Sequence, residues 1–263
     1  WGYVISLIMA FSRRLKKVEA FIITHREFGE ADRLLVLYSR EEGKLRAIAK
    51  GLRRARSRKA GHLEPFTRTV LMLARGKSFW IVTQAETVEA YQPIKDNLLK
   101  TGYAAYTLEL LDKFTSEEES NPVLYRLIKE TFERIARLED PFIAIRRFEL
   151  QLLDISGYRP EFFYCVQCKS EIKPEDQYFS AGQGGALCPK CGALAGEARA
   201  VNLHVLKYLR HIQRSSYQKA LQAVIPKQVR LEMESLMQHY LTYILERKLN
   251  SLAFIRDVAD NQK

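Results

Sequence analysis

Two closely spaced cysteine pairs constrain this chain more than any other feature. Cys165 and Cys168 form one Cys-x-x-Cys turn, and Cys188 and Cys191 form a second after a gap of 19 residues. Each turn aims two thiolates at one point, and two turns together complete a tetrahedron of soft ligands. Cys188-Pro189-Lys190-Cys191-Gly192 has a proline to set the turn and a glycine to let backbone amides approach sulfur; Lys169 and Lys190 offset the charge of a tetrathiolate. Gly182, Gly184, Gly185 and Gly192 crowd the same stretch, which has no helical period. About 40 residues with few large apolar side chains cannot bury a sufficient core, so a metal must supply the fold. The spacing therefore predicts one structural Zn2+ on Cys165, Cys168, Cys188 and Cys191, in a module over residues 160–199. A closed four-ligand site leaves no position for catalysis. Two disulfides would conflict with the reducing compartment expected below, and a redox Cys-x-x-Cys pair with the motif's occurring twice.

The module interrupts helical sequence. Tyr103, Tyr106, Leu110, Leu111 and Phe114 recur at helical spacing. Leu124 to Ile135 follow Asn121-Pro122, and Phe142 to Ile155 follow Asp140-Pro141, each a capping residue with proline at the helix start. Helical spacing resumes at Val201, Val205, Tyr208, Leu209 and Ile212, and again from Val229 to Ile244 after Pro226. These faces predict a C-terminal helical bundle over residues 93–263.

Residues 11–92 read differently. Val18–Thr24, Leu34–Tyr38, Leu45–Ala49, Val70–Leu73 and Phe79–Thr83 are short β-branched, aromatic or alternating runs, with hairpin signals at Glu41–Lys44 and Ala74–Lys77. Five short strands predict a small closed barrel, of either OB or SH3-like type. Charge is concentrated on this part. The chain carries 42 Lys and Arg against 31 Asp and Glu, net +11. Residues 1–90 hold 18 of the basic and 9 of the acidic side chains. A basic module on a near-neutral body points to a polyanion partner rather than to solubility alone.

Between Gly43 and Leu63 there is no acidic residue, but there are Lys44, Arg46, Lys50, Arg53, Arg54, Arg56, Arg58 and Lys59. Strand period places Lys44, Arg46 and Lys50 on one face. Gly51–Gly61 reads as a mobile loop that orders on a phosphate backbone. Tyr38, Phe66, Phe79 and Trp80 are candidate stacking partners for bases, one or two of them at most.

Enzyme signals fail on inspection. Arg75-Gly76-Lys77-Ser78 ends like a phosphate-binding P-loop, but Leu71 stands where its first glycine belongs and a strand follows. His62-Leu63-Glu64 with Cys188 and Cys191 lacks the proline of a zinc deaminase, and a second cysteine pair competes for the metal. The 5 histidines form no triad pattern. No enzymatic activity is expected. No apolar run reaches the roughly 18 residues of a membrane span, and Arg13, Arg14, Lys16 and Lys17 follow the apolar start rather than precede it, unlike an export signal. The expected location is the cytoplasm, at the nucleoid. Residues 1–10 read as an extension outside the functional chain: Trp1–Ile8 lie upstream of Met9, a plausible initiator.

The order of parts is similar to a known one. Lys17-Val18-Glu19-Ala20-Phe21-Ile22-Ile23, Glu27-Phe28-Gly29-Glu30-Ala31-Asp32-Arg33-Leu34, Gly43-Lys44-Leu45 and Ala49-Lys50-Gly51-Leu52-Arg53-Arg54 open a basic barrel, and a helical body with four cysteines follows. The chain resembles the RecO family of bacterial recombination mediators from about Lys16 to Val258. The resemblance implies an α+β protein with an N-terminal OB-fold barrel. It implies binding to single- and double-stranded DNA, annealing without ATP, and action with RecR to load RecA onto strands coated by single-stranded-DNA-binding protein. It places the DNA surface on the eight basic residues named above. Two other readings stand beside it: a basic OB-fold RNA-binding protein of translation or RNA handling, and an adaptor whose helical body docks partners.

Overall fold

Val18, Ala20 and Ile22 alternate with Glu19 and Phe21 along the first strand, and this alternation organises both faces of the N-terminal domain. The computed structural model describes residues 15–54, 57–247 and 249–260. The expected extension Trp1–Ile8, Met9 and Arg56 lie outside them. Five strands, β1 (Leu15–Phe28), β2 (Asp32–Ser39), β3 (Gly43–Ala49), β4 (Arg68–Arg75) and β5 (Trp80–Glu89), close a barrel in the order β1-β2-β3-β5-β4. The first strand pairs antiparallel with both β2 and β4, and β3 runs parallel to β5 at Ala47↔Trp80 and Ile48↔Ile81. This is the OB arrangement, which strand reading alone left open.

Inside the barrel Val18, Ala20 and Ile22 meet Leu35, Leu37, Leu45, Ala47, Leu71, Leu73, Trp80 and Val82. On the outside, the Phe21 ring lies 5.6 Å from Tyr125 and 5.2 Å from Phe132. Those partners come from helices. The helices α1 (Gln92–Lys95), α2 (Leu98–Phe114) and α3 (Pro122–Arg137) follow the barrel. The side chain of Asn97 caps α2 through the Lys100 N–H, and that of Asn121 accepts from the Leu124 N–H.

Glu19 joins the two layers. Its carboxylate accepts hydrogen bonds from Arg68 and, at 3.0 Å, from Tyr125 Oη. Burial pushes its pKa up, but the bonds from Arg68 and Tyr125 outweigh burial and hold it below the ordinary glutamate value. A lowered folded pKa adds stability that is present above the unfolded pKa and is lost as pH falls through the folded one. Glu19→Gln is expected to cost about 1–2 kcal/mol at pH 7. The gap from wild type should close as pH drops below about 4, as read by urea midpoints; a gap constant with pH would contradict it.

The chain then continues through α4 (Phe142–Ile155), β6 (Gln177–Ser180), β7 (Gly185–Leu187), α5 (Pro189–Leu194), β8 (Arg199–Val201), α6 (Leu203–Arg214), α7 (Tyr217–Leu221), α8 (Lys227–Leu245) and α9 (Ser251–Asp260). Its described residues divide into two compact units, residues 15–137 with 251–260, and residues 138–250. The helices are thus shared: α1–α3 and α9 belong with the barrel and the others to the second unit. In the barrel's unit α9 packs on α2, where Glu109 Oε2 accepts from the Ser251 N–H at 2.9 Å.

In the second unit α4, α6 and α8 bury Phe148, Leu152, Leu206, Leu209, Met233 and Met237 around a buried Arg146–Glu149 pair at 2.8 Å. Val201, expected on a helix, ends β8 instead. Asn202 caps the helix start through the His204 N–H, so only Val205 onward follows the helical period. Among the described residues no helix is long and apolar enough to cross a membrane.

Candidate nucleic-acid interface and metal centre

The barrel core dictates where the basic residues point. Leu45, Ala47 and Ala49 are buried, so Lys44, Arg46 and Ile48 turn outward along β3. Lys44 is engaged within the protein: its side chain is only 13% exposed, pairs with Asp112 at 2.7 Å, and donates to the Thr115 carbonyl. Arg46 pairs with Glu117 at 2.7 Å.

The described parts of the segment expected as a mobile loop are anchored to the barrel at several points. Gly51 N–H donates to Asp32 Oδ1 at 2.7 Å, and Arg53 N–H donates to the Ala31 carbonyl at 2.9 Å. Leu52 is a member of the barrel core. Turns then lead to a short 3-10 helix at Ala60–His62. The dense arginines concealed the anchor, because one leucine carries it. Lys50, Arg54 and Arg58 project into solvent. Arg53 leans on Glu27 at 3.1 Å, and Lys59 Nζ donates to the Val82 carbonyl at 3.1 Å.

Of the four candidate aromatics, Tyr38 is fully buried and Trp80 belongs to the barrel core. Burial pushes the Tyr38 hydroxyl up to about 12, with Glu119 adding to it. Phe66 is half-buried. Phe79 meets an aromatic that sequence reading missed, Phe28, edge-on at 6.2 Å. Phe28 has the parity of the core residues Val18, Ala20 and Ile22, but β1 and β2 shift register between Ile22 and Thr24. That irregularity reverses the facing of the strand's second half and leaves Phe28 40% exposed. Phe28 precedes the β1–β2 turn and Phe79 ends the β4–β5 turn, the two loops with which OB barrels hold oligonucleotides.

In the second unit the cysteines converge. The Sγ atoms of Cys165, Cys168, Cys188 and Cys191 all lie within 4.8 Å of one another. The Cys168–Cys188 separation of 3.8 Å equals the edge of a tetrahedron with metal–sulfur bonds of about 2.3 Å. All four are free thiols. Two turns make this geometry. Lys169 N–H returns to the Cys165 carbonyl at 2.9 Å with Lys169 in the left-handed region (φ 64°), and Cys188 begins α5 with Pro189 next. Gly192 is obligatory, because a Cβ there would come within 2.3 Å of the Tyr178 ring on β6. Hydrogen bonds from Ser170 lower the Cys168 thiol to about 6. Bonding to Cys188, followed by burial, pushes Cys191 up to about 12. Thiols so close together resist joint ionisation, and a divalent ion relieves that conflict. Lys169, expected to offset the thiolates, donates to the Val166 carbonyl within the first cysteine turn.

The module has packing contacts besides the cysteine cluster. Strands β7-β6-β8 form a sheet, and Phe179 on β6 lies 6.0 Å from Phe162 and 5.3 Å from Tyr240 of α8.

Comparison with known proteins divides the chain at the end of the barrel rather than between the two compact units. Residues 13–91 match the family "Recombination protein O N terminal" and residues 95–253 match "Recombination protein O C terminal". The chain is 37% identical to the DNA repair protein RecO of Roseiflexus sp. (strain RS-1), covering 93% of this chain and 86% of that one. It is 34% identical to the RecO of Pelotomaculum thermopropionicum over 92% of this chain and 94% of the relative. With the RecO of Dehalococcoides mccartyi (strain CBDB1) the figures are 30%, 91% and 94%. A five-stranded OB barrel, C-terminal helices, a four-cysteine cluster and similarity along nearly the whole chain lead to one conclusion: the protein belongs to the RecO family of DNA repair proteins.

Proposed function

We propose that the barrel binds single- and double-stranded DNA through phosphate contacts and anneals complementary strands without ATP. The observation that carries this reading is the set of exposed cations Lys50, Arg54 and Arg58 in the segment anchored to the β1–β2 turn, next to the Phe28–Phe79 pair. Strands repel one another, and a basic surface lowers that repulsion as counterions are released. Exposed Phe28 and half-buried Phe79 offer stacking faces that tolerate any base, while backbone contacts leave base edges free to pair. Annealing on such a surface needs no catalytic side chain.

The second unit serves as the partner-docking and zinc-holding part. In this reading Cys165, Cys168, Cys188 and Cys191 hold one Zn2+, whose role is structural. The protein works with RecR to load RecA onto strands coated by single-stranded-DNA-binding protein. The acidic, apolar-ended tail of that coat protein suits the stretch 219–231, where Leu221, Val224 and Leu231 are exposed among Lys219 and Lys227.

The test is an annealing assay with complementary DNA strands, the matching RNA strands, and DNA coated with full-length or tail-less coat protein, all without nucleotide. Rapid annealing of DNA, and of coated DNA only when the tail is present, is the expected result. Faster annealing of RNA than DNA would favour an RNA-handling protein and overturn the reading. Equal annealing with tail-less coat protein would remove the docking assignment.

A further inference from the structure

Strand β3 has one edge that β5 does not cover. The two strands pair only at Ala47↔Trp80 and Ile48↔Ile81, so Gly43–Arg46 face no β5 partner. The connection between α2 and α3, Thr115-Ser116-Glu117-Glu118-Glu119-Ser120, takes that edge. Glu117 forms a parallel bridge with Lys44, and the Glu118 N–H donates to the Lys44 carbonyl at 2.9 Å. The fit is close: a Cβ on Gly43 would come within 1.9 Å of the Glu119 carbonyl oxygen.

The consequence is electrostatic. Three consecutive glutamates are delivered beside β3, a strand with two basic and no acidic side chains. Glu117 sits on Arg46 at 2.7 Å and Glu118 faces Arg75 at 3.8 Å. Arg75 also lies 4.9 Å over the Trp80 ring, which fixes its guanidinium at the rim of the gap. Between these groups is a cavity of about 260 Å³, lined by Arg46, Arg75, Ser78, Phe79, Glu117 and Glu118. Cations and the strap's carboxylates both line it, and Phe79, also in its lining, belongs to the aromatic pair.

We propose that Arg46 and Arg75 form a phosphodiester-binding site which the chain's own acidic strap, residues 115–120, occupies until a nucleic-acid strand displaces it. The proposal rests on the reading of the barrel as a DNA-binding domain. Both ion pairs are about half exposed, so each is weak and exchangeable in water. A phosphate carries the same charge as a glutamate and fits the same guanidinium fork. Lys44 plays a different part. It is largely buried and bonded to Asp112 and Thr115, so it holds the root of the strap rather than the ligand. The strap thus screens the β3 side of the barrel and leaves Lys50, Arg54 and Arg58 as the first point of contact.

The experiment is a salt titration of the full-length protein with a dye-labelled oligothymidylate. Glu117→Gln with Glu118→Gln is expected to tighten binding about three- to tenfold near 0.1 M salt. The log-affinity against log-salt slope should stay within about 0.7 of the wild-type value, because the bound strand contacts Arg46 and Arg75 in both proteins. A charge-matched control in the second unit, Glu139→Gln with Glu175→Gln, should change affinity less than about twofold. In an Arg46→Ala, Arg75→Ala background the strap substitutions should have no effect. Wild type and strap variant superimposing, or a gain that survives loss of both arginines, would overturn the proposal. A wild-type protein that does not bind the oligonucleotide would instead overturn the reading of the barrel on which the proposal rests.

Discussion

Replacing Cys168 with serine is expected to release the metal, disorder the sheet β7-β6-β8 and leave the barrel folded. Structural zinc in small domains contributes an apparent 10–16 kcal/mol or so, far more than one thiol's packing. Cys168 is exposed, so its loss leaves no core cavity, and any effect must come from coordination. Three thiolates hold zinc poorly, and the turns at Lys169 and Gly192 then lose the point on which they converge. Phe162, Phe179 and Tyr240 still offer an apolar anchor, so residues 157–201 should become loosely attached rather than fully unfolded. The barrel lies in the other compact unit and has its own core.

Elemental analysis should fall from one zinc per chain to none. Hydrogen exchange should rise in residues 157–201 and stay unchanged in residues 15–90, and oligonucleotide binding should persist. Full zinc content in the variant would refute the four-cysteine site. Stoichiometric iron with visible thiolate absorption in wild type would refute the metal's identity, since iron also takes four sulfurs.

The second large effect is expected on the barrel. Lys50→Ala, Arg54→Ala and Arg58→Ala together should flatten the salt slope for single strands by up to about 2, at about 0.7 per phosphate contact. Affinity at low salt should drop by one to two orders of magnitude or so, and annealing should slow accordingly. The fold should be unaffected, because all three side chains are exposed and the segment is held by Leu52 and by backbone bonds to Asp32 and Ala31. Superimposed titrations of wild type and triple variant would show that the segment only keeps the protein in solution. Arg26 and Lys77, exposed at the same end of the barrel as Phe28 and Phe79, would then be the next groups to replace.

Features that depend on local spacing could be read directly from the chain. Two Cys-x-x-Cys turns specify a four-thiol cluster, because each turn's geometry is closed within four residues. Asn121-Pro122 and Asp140-Pro141 marked helix starts, and the β-branched, aromatic run Val18–Thr24 marked a strand. Tertiary structure decided what depends on partners distant in the chain. OB rather than SH3-like closure rests on β3 finding β5 in parallel. Phe28 faces outward because of a register shift that pairing with β2 creates. Leu52 pins an arginine-rich segment because the barrel has room for it. Lys44 and Arg46 read as two equal members of a basic row. They differ because Asp112 and Glu117, about 70 residues further on, bury one and leave the other half exposed. Spacing along a strand assigns a side chain to a face, but only the packed chain brings to that face the charges that compete for it.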